Sequence, residues 1–137
     1  MGAVVTDTHA LIWYLFEPKR LSSVARTALL QAETSPGVIY VPAISVVEAR
    51  YLVEKGTLTE SIFKKLIDSL LDADTAPTVV PLNLDIACAL DGVSKRAVPD
   101  MPDRIIAATA LHLGLPLITR GRKIQASQIE NLVNVRD

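Results

Sequence analysis

The stretch Ala3-Val4-Val5-Thr6-Asp7-Thr8-His9-Ala10-Leu11-Ile12-Trp13-Tyr14-Leu15-Phe16 changes its period in the middle. Its start is short, apolar and β-branched, as a strand buried on both faces requires. From Thr8 the pattern is helical, and Pro18 stops it. The same alternation recurs along the chain. Ser22 or Ser23 can cap a helix ending near Thr34. Val38-Ile39-Tyr40-Val41 reads as the second strand, followed by a helix from Ala43 to Lys55 with Gly56 at its end. Thr59 can cap a further helix carrying the stripe Ile62, Phe63, Leu66, Ile67, Leu70 and Leu71. Thr78 to Pro81 is a third strand, and Leu84 to about Ser94 is helical. Asp103 to Leu113 is a helix closed by Gly114, with a strand over Leu115–Thr119 and a last one over Leu132–Val135. Short apolar strands separated by helices predict an α/β protein. Its expected form is a three-layer α/β/α fold around a parallel sheet of four or five short strands.

A length of 137 residues predicts a single domain, 1–137, able to bury a core without a disulfide or metal staple. Half the residues are apolar, with one Trp, three Tyr and two Phe, so the core is expected to be Ala, Val, Leu and Ile. Fourteen basic and fifteen acidic side chains nearly cancel, which excludes a polybasic or strongly acidic protein. Cys88 is the single cysteine; its apolar neighbours suggest a buried structural thiol, and it forms no intrachain disulfide. No signal peptide or membrane anchor is read at the N-terminus, so the expected location is the cytoplasm.

Right-handed crossovers gather the C-terminal strand ends at one edge, where sites of such sheets lie. Three carboxylates fall at strand-to-helix junctions. Asp7 follows the first strand; it is either an N-cap or a ligand on a rigid strand end. Glu48, in Ser45-Val46-Val47-Glu48, reads as the far end of a capping box or as an acid aimed into the cleft. Asp103 opens its helix, and Asp100 lies in the stiff turn Pro99-Asp100-Met101-Pro102-Asp103 just before it. Acids held together repel, and a hard divalent cation removes the conflict. Oxygen-only ligands point to Mg²⁺ or Mn²⁺ and hence to phosphodiester chemistry.

Other chemistries lack their residues. There is no thiolate–imidazole cluster for zinc and no glycine-rich phosphate loop after the first strand. Two histidines without a partnered nucleophile argue against a hydrolase triad. A phosphoryl-transfer receiver domain would want a Lys where the chain reads Thr119-Arg120-Gly121. Between positions 95 and 123, Lys95, Arg96, Arg104, Arg120, Arg122 and Lys123 stand against only Asp100 and Asp103. This segment is either a solvated rim or a flank that holds phosphates. His9 is close enough in sequence to touch the site. Trp13 is read as core packing or as part of a homodimer face.

At these acids the sequence resembles the PIN-domain family of metal-dependent ribonucleases, and among them the prokaryotic toxins of the VapC type. Thr6-Asp7-Thr8-His9-Ala10-Leu11-Ile12-Trp13, Ser45-Val46-Val47-Glu48 and Asp103-Arg104-Ile105-Ile106-Ala107-Ala108-Thr109-Ala110 resemble its acidic motifs, in order and across essentially the whole chain. The resemblance implies a PIN-like fold and hydrolysis of RNA phosphodiesters with Mg²⁺ or Mn²⁺. It also implies a homodimer and a cognate antitoxin as partner in a toxin–antitoxin system. Asp7, Glu48 and Asp103 would be catalytic and metal-binding; Asp100, whose turn precedes Asp103, is read as a further catalytic acid that compensates for a missing fourth one. Thr6, Thr8, Arg104, Thr119, Arg120, Arg122 and Lys123 would support the acids or contact RNA. The family's fourth acid is replaced by Gly121. The alternative is therefore a catalytically weakened PIN domain that binds RNA or protein.

Overall fold

The computed structural model describes residues 2–34, 38–120 and 134–136, the last three by backbone alone. Five strands alternate with helices: β1 (Val4–Thr6), α1 (Thr8–Phe16), α2 (Ser23–Thr34), β2 (Ile39–Pro42), α3 (Ala43–Glu54), α4 (Glu60–Leu71), β3 (Pro77–Val80), α5 (Leu84–Ala89), α6 (Met101–Leu113), β4 (Leu117–Thr119) and β5 (Asn134–Arg136). The sheet order is β3-β2-β1-β4-β5, and every neighbouring pair is parallel. Helices cover both faces, which makes the three-layer α/β/α sandwich that the alternating pattern predicts.

The pleat explains why the strands are apolar throughout. Val5 and Leu117 pack with Ile86, Ile106 and Ala107 of α5 and α6. Their strand neighbours Val4 and Ile118 point to the opposite layer, against Ala10, Leu21, Ala25 and Leu29. A third cluster, Leu11, Val41, Ala49 and Leu66, joins α1, α3 and α4 to β2. Each fully buried Leu or Ile contributes about 1.5–3 kcal/mol. Ala107, Ala108 and Ala110 are fully buried, so α6 lies close to the sheet.

Several boundaries differ from the sequence reading, each for a local reason. β4 begins at Leu117 and not at Leu115, because Pro116 has no N–H to donate; its carbonyl instead accepts from Val5 N at 2.8 Å. α5 ends at Ala89 and tightens into a 3-10 turn, Leu90–Gly92. Gly114 ends α6 in the left-handed region at φ 65°, where a side chain would be strained. Cys88 is exposed, contrary to the expected buried thiol. Ile86 is the inward residue of α5, and two positions further on the short helix has turned its side chain outward. The expected loop at Ser35–Gly37 lies outside the described residues.

Candidate functional site

β1 and β4 are neighbours although their chain connections leave in different directions, so the crevice between their C-terminal ends is the sheet's switch point. Asp7 sits there and bridges the two strands. Its Oδ1 accepts from Ala10 N at 2.8 Å, which caps α1. Its Oδ2 accepts from the Thr119 hydroxyl at 2.7 Å and from Arg120 N at 3.0 Å, both at the end of β4. The N-cap reading of Asp7 is therefore realised, and it leaves the carboxylate fixed at the crevice. Thr119 belongs to the scaffold of this acid. Thr6 donates to the backbone carbonyl of Asp7, not to its carboxylate.

Glu48 reaches the crevice from α3. The capping-box reading fails here. β2 passes into α3 without a loop, Pro42 occupies the N-cap, and Ser45 already lies inside the helix. The Ser45 hydroxyl is buried without a hydrogen-bond partner among the described residues. Glu48, one turn further on, is held by the Thr8 hydroxyl, which donates to its Oε1. The helix α6 also starts earlier than expected. Asp100 is its N-cap and accepts from Asp103 N at 3.1 Å, with Pro102 in the first turn. Asp103 is thus third in the helix and free of capping duty.

Folding brings Glu48, Asp100 and Asp103 together, with one carboxylate oxygen of each within 4.8 Å of the others. Asp7 stands beside this group and not within it. The electrostatics mark Asp7, Glu48 and Asp103 as perturbed by burial and by one another. Burial, then the charges of Asp100, Glu48 and Asp7, push the Asp103 carboxyl up to about 6. Burial also raises Glu48, with Asp100 and Asp7 adding to it and the Thr8 hydrogen bond opposing. Asp7 is raised by burial, which outweighs its three hydrogen bonds and the nearby Arg120. Three oxygen donors at this spacing, carrying more negative charge than their surroundings settle, match a hard divalent cation that leaves coordination positions for other ligands.

The remaining expected residues divide. Arg120 is exposed, with its backbone on Asp7 and its side chain against the ring of Trp13. Arg104 turns away from the acids. Its guanidinium donates to the carbonyls of Val93, at 2.9 and 3.2 Å, and Leu90, at 3.2 Å, and so ties the turn after α5 to α6. Lys95 and Arg96 are exposed. Gly121, Arg122 and Lys123 lie outside the described residues. His9 lies beside Trp13, edge to face, and burial together with Arg120, Arg20 and Lys55 lowers its imidazole to about 4. Arg20 was not singled out in the sequence; it joins Arg120 on the ring of Trp13, and nothing local to Pro18-Lys19-Arg20 signals that contact.

Comparison with known proteins agrees with this geometry. The PIN domain profile matches residues 4–128. A relative in Mycobacterium tuberculosis, Ribonuclease VapC22, is 27% identical over 140 residues, which covers 98% of this chain and 99% of that one. A toxin–antitoxin complex from Klebsiella pneumoniae superposes with a TM-score of 0.65 at 25% identity and covers 95% of both chains. VapBC2 from Rickettsia felis, solved with a DNA fragment from its promoter, gives a TM-score of 0.72 at 16% identity and 98% coverage of both chains.

Proposed function

The chain belongs to the PIN-domain family, and on that premise we propose that it is an endoribonuclease dependent on Mg²⁺ or Mn²⁺, acting as the toxin of a toxin–antitoxin pair. The observation that carries the reading is the meeting of Glu48, Asp100 and Asp103 at the switch point, beside a fixed Asp7. These acids would hold the cation, with Asp7, Glu48 and Asp103 as its expected ligands; Glu48 and Asp103 meet in the cluster with Asp100, and Asp7 stands beside them. When bound, the cation supplies Lewis-acid chemistry at a phosphodiester. The chain's own residues do the rest. Thr8 fixes the rotamer of Glu48, and Thr119 with Arg120 N fixes Asp7. The Arg120 guanidinium adds a positive charge at the rim where an RNA phosphate would enter. Asp100 adds a further acid to the cluster and would compensate for the family's fourth acid, which the sequence replaces with Gly121.

The toxin assignment is supported by the likeness to Ribonuclease VapC22 and to solved toxin–antitoxin complexes. It carries a cognate antitoxin and a homodimer as expected partners. Exposed apolar side chains, Val47 and Tyr51 on α3 and Leu84 and Met101 near α5 and α6, give protein partners something to cover. Among the described residues no helix is long and apolar enough to cross a membrane; the proposed location is the cytoplasm.

The test is cleavage of total RNA by the purified protein with Mg²⁺, with Mn²⁺ and with EDTA, alongside Asp7→Asn and Asp103→Asn. Cleavage that needs the cation and is lost in both variants is the expected result. Metal-independent cleavage unaffected by either change overturns the proposal. Gly121 favours one second reading, a weakened domain that binds without cutting. That reading gains if the protein retains RNA or partner binding yet cleaves nothing at high Mn²⁺.

A further inference from the structure

Away from the acidic cluster the described residues form a concavity of about 230 Å³, whose walls include His9, Trp13, Glu17, Arg20, Thr57 and Arg120. Its lining is unusual for a surface dimple. The Arg20 guanidinium carbon lies 4.5 Å from the centroid of the Trp13 ring, and that of Arg120 lies 5.4 Å from it. His9 meets the same ring edge to face, at 6.0 Å and 61°. Arg20 is oriented by Glu17, whose Oε2 accepts from Nη1 at 3.1 Å. Two aromatic rings and two guanidinium planes thus converge on one small volume.

We propose that this concavity is a subsite for one unpaired nucleobase of an RNA, stacked among His9, Trp13 and the two guanidinium groups. The inference rests on the ribonuclease reading and adds to it which part of the RNA the chain grips. Size is the first argument. The volume lies below the roughly 300–1,000 Å³ of pockets for drug-sized ligands, on the scale of a single ring system. Chemistry is the second. Single-stranded RNA is held by stacking bases on aromatic rings and on arginine planes, while the positive charge follows the phosphates. Position is the third. Arg120 lines the concavity with its side chain and donates to Asp7 Oδ2 with its backbone at 3.0 Å, so the two sites share a wall. A base seated there leaves its backbone running past the acids. A base paired in a duplex is already stacked and cannot enter, so the subsite selects unpaired RNA.

Trp13 is the only tryptophan of the chain, so its fluorescence reports occupancy directly. The experiment titrates the whole protein in EDTA with single-stranded hexaribonucleotides, with the same sequences made abasic, with duplex RNA and with heparin. The expected result is saturable quenching by the hexamers, and affinity about tenfold weaker for abasic and duplex forms. Trp13→Leu risks the fold, so Arg20→Ala, at an exposed position, carries the variant test. It is expected to weaken hexamer binding about fivefold and, in cleavage assays, to raise KM while kcat stays within about twofold. Equal quenching by heparin or abasic chains shows binding by charge alone and overturns the proposal. Metal-dependent cleavage without any quenching also overturns it while the nuclease reading survives. Quenching without cleavage sinks the nuclease reading and leaves the base subsite standing.

Discussion

Asp7 and Asp103 occupy one crevice, yet the fold treats them in opposite ways. Asp7 is built into the scaffold: three donors from α1 and β4 converge on its two oxygens. Among the described residues no hydrogen bond reaches the carboxylate of Asp103, and the acids Asp100, Glu48 and Asp7 act on it more strongly than the cation of Arg120. Both carboxyls are raised, but by different balances. For Asp7 burial acts against supporting donors; for Asp103 burial and like charge act together. The difference separates an acid that holds the site's shape from one whose charge its surroundings leave unbalanced.

The same truncation should therefore have opposite signs at the two positions. Asp7→Ala removes the cap of α1 and the acceptor shared by the Thr119 hydroxyl and Arg120 N. Loss of a cap costs about 1 kcal/mol, and each further hydrogen bond lost to a charged acceptor about 1.5–3 kcal/mol. Relief of a buried charge offsets part of this. The expected net loss is about 2–4 kcal/mol, read from urea unfolding with an unchanged slope. A stability equal to the parent's would show that the three donors find other partners and that Asp7 is no scaffold.

The cation supplies the next largest effect. On the proposed function it would bind the folded cluster and not the unfolded chain, so at a hundred times its Kd it would stabilise by about 2.7 kcal/mol. In a chain of this length that raises Tm by about 10 °C. Mn²⁺ should do this to the parent protein and much less to Asp103→Ala, as read by calorimetry. No shift in the parent at millimolar Mn²⁺ would break the comparison, because the unsettled side of the crevice would then have no ligand to wait for.

These contrasts were only half legible in the sequence. The change of period at Thr6-Asp7 and the apolar strands were enough for the sheet, because a parallel strand buried on both faces has few other ways to be written. The acids could be placed at strand ends for the same reason. Their division of labour could not. Ser45 to Glu48 has the spacing of a capping box, but that pattern is silent on whether a loop precedes the helix, and here none does. Asp100 and Asp103 are both competent caps; only the start of α6 at Met101 decides that the first one caps. Cys88 was misread because apolar neighbours in sequence say nothing about which side of a one-and-a-half-turn helix faces in. The stacking of Arg20 and Arg120 on Trp13 joins residues from distant segments, and no local pattern encodes it.

The smallest and most discriminating effect concerns Asp103 itself. A carboxyl raised to about 6 in the fold, from an ordinary value near 3.8, binds more protons folded than unfolded between those limits. Stability then falls as pH rises through that window, since the slope follows the protons bound by the unfolded chain minus those bound by the folded one. Below about 4 the carboxyl is neutral in both states and Asp103→Ala gains nothing. Between about 4 and 6 the parent loses stability that the variant keeps. Above that range the variant's advantage levels off, at about 1 kcal/mol or a few degrees in Tm. The favourable contact of an acid with the first turn of α6 works against this gain and keeps it small. Measuring the difference in Tm between variant and parent across pH 4–8 in EDTA cancels the titration of groups outside the cluster, and what is left is the titration of Asp103 with the acids coupled to it. A difference that is flat with pH, or that favours the parent at neutral pH, would mean that the helix terminus settles Asp103 after all. The crevice would then hold two scaffold acids instead of one scaffold acid and one vacancy of charge.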